Sequence, residues 1–175
     1  MKDNKKYKTE LLFPKGFTLI ELMMTIAIIG ALGGLILVNF PGSQQRARDT
    51  QRKSDLKQYQ TALERYANGN NGLYPSRNAA TGQPASSVLC PDLNVFLNPD
   101  LVCPEDPKGT PVYLYQSNGT GLASLTATQY VLWAALEKKD GTTTYYFVVC
   151  SNGRSGRTPN TTTFSAGGCP ATLIP

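Results

Sequence analysis

From Phe17 to Val38 the chain is apolar for 22 residues with a single charge, Glu21. As a helix this stretch would be about 33 Å long, close to the thickness of a bilayer's hydrocarbon core, so it predicts a membrane-spanning helix. Pro41 and Gly42 interrupt the run and the pattern then changes. Leu56, Tyr59, Leu63 and Tyr66 recur at three- and four-residue intervals, with Ala62 and Ala67 beside them, which places one apolar stripe on a helix whose other face is charged. Asn68 to Gly72 (NGNNG) stops this helix with residues that tolerate left-handed backbone. The pattern therefore predicts one long helix from Phe17 to about Ala67, or two joined by a bend at Pro41, apolar all round in its first half and amphipathic in its second.

An amphipathic stripe needs a surface to cover it. Val112 to Gln116, Gln129 to Glu137 and Thr144 to Cys150 are β-branched and aromatic, and Asp140-Gly141 between the last two is a hairpin signal. Three antiparallel strands are expected. Leu73 to Pro111, rich in Pro, Asn, Ser and Gly, reads as an irregular loop. The predicted class is α+β: a long N-terminal helix packed on a small antiparallel sheet of about three strands with disulfide-closed loops.

Charge and composition narrow the chemistry. Five lysines before the apolar run (Lys2, Lys5, Lys6, Lys8, Lys15) stand against Asp3 and Glu10, so the first 16 residues supply three of the chain's net +5. That leaves a weak case for nucleic-acid binding by the remainder, and by the positive-inside rule it puts everything after the span on the far side of the membrane. No A-x-A-like site follows the apolar run, as an ordinary secretory signal would require. Histidine is absent, which removes His-based general-base catalysis, the usual nucleophile triads and most zinc sites. No catalytic residue, cofactor or metal site is expected.

Four cysteines, Cys90, Cys103, Cys150 and Cys169, lie in the part expected outside, without a C-x-x-C pair. They read as two disulfides, for which three connectivities exist. The short closures Cys90–Cys103 and Cys150–Cys169 are preferred, the second because it brackets a Gly-, Ser- and Thr-rich stretch with little core-forming capacity.

Glu21 remains to be explained, since a carboxylate carried toward hydrocarbon costs about 3 kcal/mol on insertion scales. The stretch Lys15-Gly16-Phe17-Thr18-Leu19-Ile20-Glu21, leading directly into the apolar run, resembles the class III signal of type IV pilins and type II secretion pseudopilins. The resemblance extends through the outer helix to Leu73-Tyr74-Pro75, and it divides the chain into a basic leader (1–16), a transmembrane and assembly helix (17–40), its amphipathic continuation (41–68) and an extracytoplasmic globular β-domain (69–175). It implies that a prepilin peptidase cuts after Gly16 and methylates the new N-terminus at Phe17. Glu21 would then meet the cationic amine of a neighbouring subunit, with its own amine as the intrachain alternative. Gly30, Gly33 and Gly34, with Ala27 and Ala31, form a small-residue patch that lets helices approach closely. Many family members carry a helix-breaking proline near the position of Val38, whereas Pro41 lies three residues later here.

The function implied is a structural subunit of a type IV pilus-like filament, a homopolymer built from the membrane by an assembly platform. The alternatives are a pseudopilin forming a periplasmic pseudopilus, a minor pilin that binds DNA or a surface, and a plain membrane-anchored domain that never polymerises. Asp106 to Gly109 (DPKG) followed by VYLY resembles the strand entry of major pseudopilins, which often bind calcium through acidic C-terminal loops. Nothing after Asp140 is acidic, so no calcium site is expected, and the Cys150–Cys169 loop resembles instead the disulfide-closed variable region of type IV pilins. The cluster RARDTQRK, Arg46 to Lys53, is read as a solvated juxtamembrane face that pairs with acids of neighbouring subunits, with DNA phosphates or anionic headgroups as other contacts. Asn118-Gly-Thr120 and Asn160-Thr-Thr162 fit glycosylation patterns that also arise by chance.

Overall fold

The computed structural model describes residues 16–77, 82–93, 103–120, 125–159 and 164–175. The leader residues 1–15 and the Asn160 pattern lie outside them. The chain divides into two compact units, with the boundary between Pro41 and Gly42.

Helix α1 is Leu19–Gly69, with Pro41 inside it. Its C-terminal part carries the predicted stripe: Leu56, Tyr59, Ala62, Leu63 and Ala67 are buried, while Lys57, Thr61 and Arg65 are exposed. The stop falls at NGNNG, where Asn71 (φ 56°) and Gly72 (φ 79°) turn left-handed and Gly72 N donates to Ala67 O at 2.8 Å. A left-handed turn there lets the chain leave the helix while its last carbonyls stay bonded.

The stripe packs against one antiparallel sheet of order β1-β2-β3-β4-β5. Its strands are β1 (Gln83–Pro84), β2 (Leu114–Ser117), β3 (Tyr130–Ala135), β4 (Tyr146–Cys150) and β5 (Ser155–Thr158). The register pairs Leu132 with Tyr115 on one side and Val149 on the other. Side-chain alternation sorts the strands into two faces. Tyr130, Leu132, Ala134, Phe147 and Val149 join the α1 stripe in the main core. Val131, Trp133, Val148 and Cys150 form a second cluster on the other face with Phe164, against which Cys169 and Leu173 pack. The sheet is covered on both sides.

Among the described residues five strands replace the expected three or so. β2, β3 and β4 are the predicted ones, and the tight return at Asp140-Gly141 joins β3 to β4 through an Asp140–Thr143 bridge. β1 and β5 are edge strands of low β-propensity, held by backbone pairing to β2 and β4 rather than by an apolar face. At β5 the C-terminal tail comes so close that a Cβ on Gly156 would stand 2.7 Å from Ile174 O. The loop reading of Leu73 to Pro111 also needs correction, because it contains helix α2, Ala85–Leu93, with Pro91 inside. Ala85, Leu89 and Leu93, one turn apart, are fully buried in the main core, and that tertiary burial outweighs poor local propensity. Both disulfides form as preferred, Cys90–Cys103 with Cα atoms 5.9 Å apart and Cys150–Cys169 at 5.6 Å.

Candidate functional site

Gly16 and Phe17 precede the helix, and Phe17 is 92% exposed. Thr18 caps α1. Its backbone N and its hydroxyl both donate to Glu21 Oε2, at 2.9 and 2.8 Å, and Glu21 N donates back to Thr18 Oγ1 at 3.3 Å. This is a capping box, in which a Thr and the Glu three residues on satisfy the free N–H groups of a helix start. The T-x-x-E spacing is plain in the sequence, so the capping role was there to be read beside the charge role. Both Thr18 bonds fall on Oε2, and Glu21 makes no ion pair among the described residues.

The helix beyond it is bare. Ile20 is 74% exposed and Leu35 68%, and Leu22, Met23, Met24, Ile26, Ile28, Ile29 and Leu32 are exposed as well. A side chain built at Gly30, Gly33 or Gly34 would meet nothing within 4 Å, so the small-residue patch is open. Among the described residues no single helix is long and apolar enough to cross a membrane; Leu19–Leu35 and Phe40–Gly69 reach that test only when taken together.

At the start of the second unit the charged residues form a closed network. The Arg52 side chain is wholly buried, with Nε and Nη2 on the two Asp106 oxygens at 2.5 and 2.9 Å. Its Nη1 reaches Asp49 Oδ1 and Glu137 Oε1, both at 2.8 Å. Arg48 holds Glu137 bidentately at 2.7 and 2.8 Å, and Lys108 Nζ adds a contact at 2.8 Å. Three cations thus face three acids. Hydrogen bonds from Arg48 first, then from Lys108 and Arg52, hold Glu137 well below the usual carboxylate range against the opposing effect of burial. The bond to Asp106, followed by those to Asp49 and Glu137, pushes Arg52 above its ordinary value. Next to the network, burial raises Asp55, while the hydrogen bond that Tyr113 Oη donates at 2.6 Å opposes the shift.

This geometry corrects the reading of Arg46 to Lys53 as a solvated face. Arg48 and Arg52 pair inside the chain, because Arg52 stands one turn before Leu56 on the apolar stripe and so points into the core. The spacing Arg52, Leu56, Tyr59, Leu63 was the signal that marked it. Asn118 is also engaged, its Oδ1 accepting from Thr128 N and Gln129 N and its Nδ2 donating to Thr128 Oγ1.

The family described as prokaryotic N-terminal methylation motif matches residues 14–37. Type II secretion system core protein G of Pectobacterium carotovorum subsp. carotovorum is 39% identical over 62 residues, 35% of this chain and 39% of that protein. The protein of the same name from Escherichia coli (strain K12) is 30% identical over 114 residues, which span 63% of this chain and 78% of that protein. Type IV major pilin protein PilA of Myxococcus xanthus (strain DK1622) is 46% identical over 48 residues, 27% of this chain and 22% of that protein. No solved structure matches the chain.

Proposed function

The chain belongs to the family of type IV pilins and type II secretion pseudopilins, and on that premise we propose that it is a structural subunit of a pilin-like filament rather than an enzyme. The observation that carries this reading is the pairing of a bare apolar helix, 19–35, with a second unit that buries its own core. A helix apolar all round needs lipid or other helices around it. In this reading it anchors the precursor in the membrane with its basic N-terminus cytoplasmic, then leaves the bilayer to pack against copies of itself, with the open patch at Gly30, Gly33 and Gly34 permitting close approach. Head-to-tail contacts of one kind of subunit produce an open helical polymer.

The chemistry at the N-terminus is done to this chain. Gly16-Phe17 is the junction for a prepilin peptidase, and both residues are exposed and lie ahead of the first helical turn. Cutting there creates a cationic amine on Phe17. Glu21 serves two purposes: Oε2 caps its own helix, and Oε1, which carries no hydrogen bond among the described residues, accepts the amine of the preceding subunit. The assembly platform and the destination of the filament are further parts of the proposal.

A second form of the reading is the pseudopilin of a type II secretion system. The match to core protein G of Escherichia coli spans 63% of the chain, whereas the match to PilA spans 27%. The Cys150–Cys169 closure favours the pilin form.

Mass spectrometry of the N-terminal peptide from native membranes or sheared filaments tests the proposal. A peptide that begins at Phe17 and is heavier by one methyl group is expected. A functional form that retains the residues before Phe17 would leave Glu21 without an amine to meet, and the chain would be a plain membrane-anchored domain.

A further inference from the structure

Beside the balanced network lies a groove of about 260 Å³ that is not balanced. Arg46 and Lys53 of α1, Lys138 after β3 and Arg157 of β5 line it, with Asp49 as the acid among the lining residues. Asp49 is already committed, since Oδ1 accepts from Arg52 Nη1 and Glu137 N, and Oδ2 accepts from Lys138 N. Glu137, next in the chain, is turned to Arg48, Arg52 and Lys108. Among the described residues none of the four groove cations makes an ion pair. Lys53 instead stands over the Phe147 ring at 5.5 Å and Arg157 over the Tyr145 ring at 5.6 Å. An aromatic face positions a cation without using up its N–H donors, so the groove holds an oriented excess of positive charge in a concave site.

Chain connectivity says which anion it meets. Arg46 is six residues past Phe40, at the end of the apolar stretch. That is about 9 Å along a helix, and no more than roughly 21 Å if the chain were fully extended. The groove is therefore tethered within reach of the headgroup layer. We propose that it binds the phosphate of an anionic phospholipid headgroup while the subunit is anchored, an inference that rests on the membrane-anchored reading above. Two guanidinium forks and two ammonium groups match the non-bridging oxygens of a phosphodiester, and a neutral choline lipid leaves the excess charge uncompensated.

The test uses the full chain in neutral detergent, titrated with short-chain phosphatidylglycerol, phosphatidylcholine or inorganic phosphate, with bound lipid counted by native mass spectrometry. One phosphatidylglycerol per chain is expected, with no comparable retention of phosphatidylcholine. Arg46→Gln, Lys53→Gln and Arg157→Gln should each weaken it about fivefold, the contribution of one cation near an anionic surface. Lys57→Gln and Arg65→Gln, whose side chains do not line the groove, should leave it unchanged. Equal binding of the two lipids, or equal loss in both sets of variants, would overturn the site. Displacement at equal concentration by inorganic phosphate or by a DNA duplex would overturn the lipid assignment. The glutamine variants keep the helix-favouring character of the positions, and an unchanged melting temperature separates lost binding from lost folding. Insertion of the chain into pure phosphatidylcholine vesicles is the separate readout: its failure removes the anchored reading, and insertion without phosphatidylglycerol binding removes the groove proposal alone.

Discussion

Glu21 and Arg52 are both charges set among apolar residues of α1, and they are satisfied in opposite ways. Arg52 finds three carboxylates, Asp49, Asp106 and Glu137, within its own chain. Glu21 finds Thr18, a neutral cap, and makes no ion pair among the described residues. Their surroundings differ in the same sense. From Leu56 to Ala67 the apolar side chains are buried against the sheet, whereas from Leu19 to Leu35 they are exposed, each forgoing the roughly 1.5–3 kcal/mol that burial of a large apolar side chain provides. One part of the chain completes its interactions by folding. The other keeps an apolar surface and a charge that the described residues of this chain leave without a counterpart, which is what the proposed lipid and subunit contacts would supply.

The comparison breaks most sharply at Arg52. Arg52→Ala leaves three buried or half-buried carboxylates short of a cation, so urea denaturation should show a loss of about 3–5 kcal/mol. A loss under 1 kcal/mol would mean that the network is solvated rather than structural. Cys150→Ser with Cys169→Ser should cost about 3 kcal/mol by the same measurement, since the bridge closes a loop of sequence separation 19.

Acid should expose a smaller effect. Glu137 has a folded-state pKa below its ordinary 4.5, so its contribution to stability is fully present above that pH and is lost as the pH falls through the folded-state value. Asp55 is shifted upward and acts with the opposite sign. Stability followed from pH 7 downward should decline below about 4.5, and Glu137→Gln should start from a lower stability and give a flatter acid limb. The smallest effect on folding belongs to Glu21→Gln. Gln still completes a capping box, so the melting temperature of the second unit should not move, with any change inside about 0.5 kcal/mol.

Much of this division was legible in the sequence. The apolar run, the stripe at Leu56, Tyr59 and Leu63, the NGNNG stop and three strands follow from residue spacing and turn chemistry, and the two short disulfide closures were the preferred of three connectivities. α2 was not legible, because ASSVLCPDL carries an internal proline and owes its helix to the burial of Ala85, Leu89 and Leu93. Nor was β5, whose SGRT sequence has no strand pattern and is ordered by pairing with β4 and by the Arg157–Ile174 bridge. The cluster at Arg46 to Lys53 misled for a different reason. Charged residues on a helix are usually solvated, yet here the positions divide: Arg52 continues the buried stripe, Arg48 joins its network, and Arg46 and Lys53 line the groove. At the N-terminus the T-x-x-E cap was plain in the sequence, while the amine partner proposed for Glu21 belongs to another subunit and is not displayed by one chain.

The measurement that bears most directly on this account is the yield of sheared filaments from cells carrying Glu21→Gln, compared with wild type at equal subunit level and equal melting temperature of the second unit. The account predicts that subunits are processed and folded but that filaments are largely lost, because the cap survives and the charge does not. Wild-type filament yield from Glu21→Gln would contradict it, and would leave Glu21 as a helix cap and nothing more.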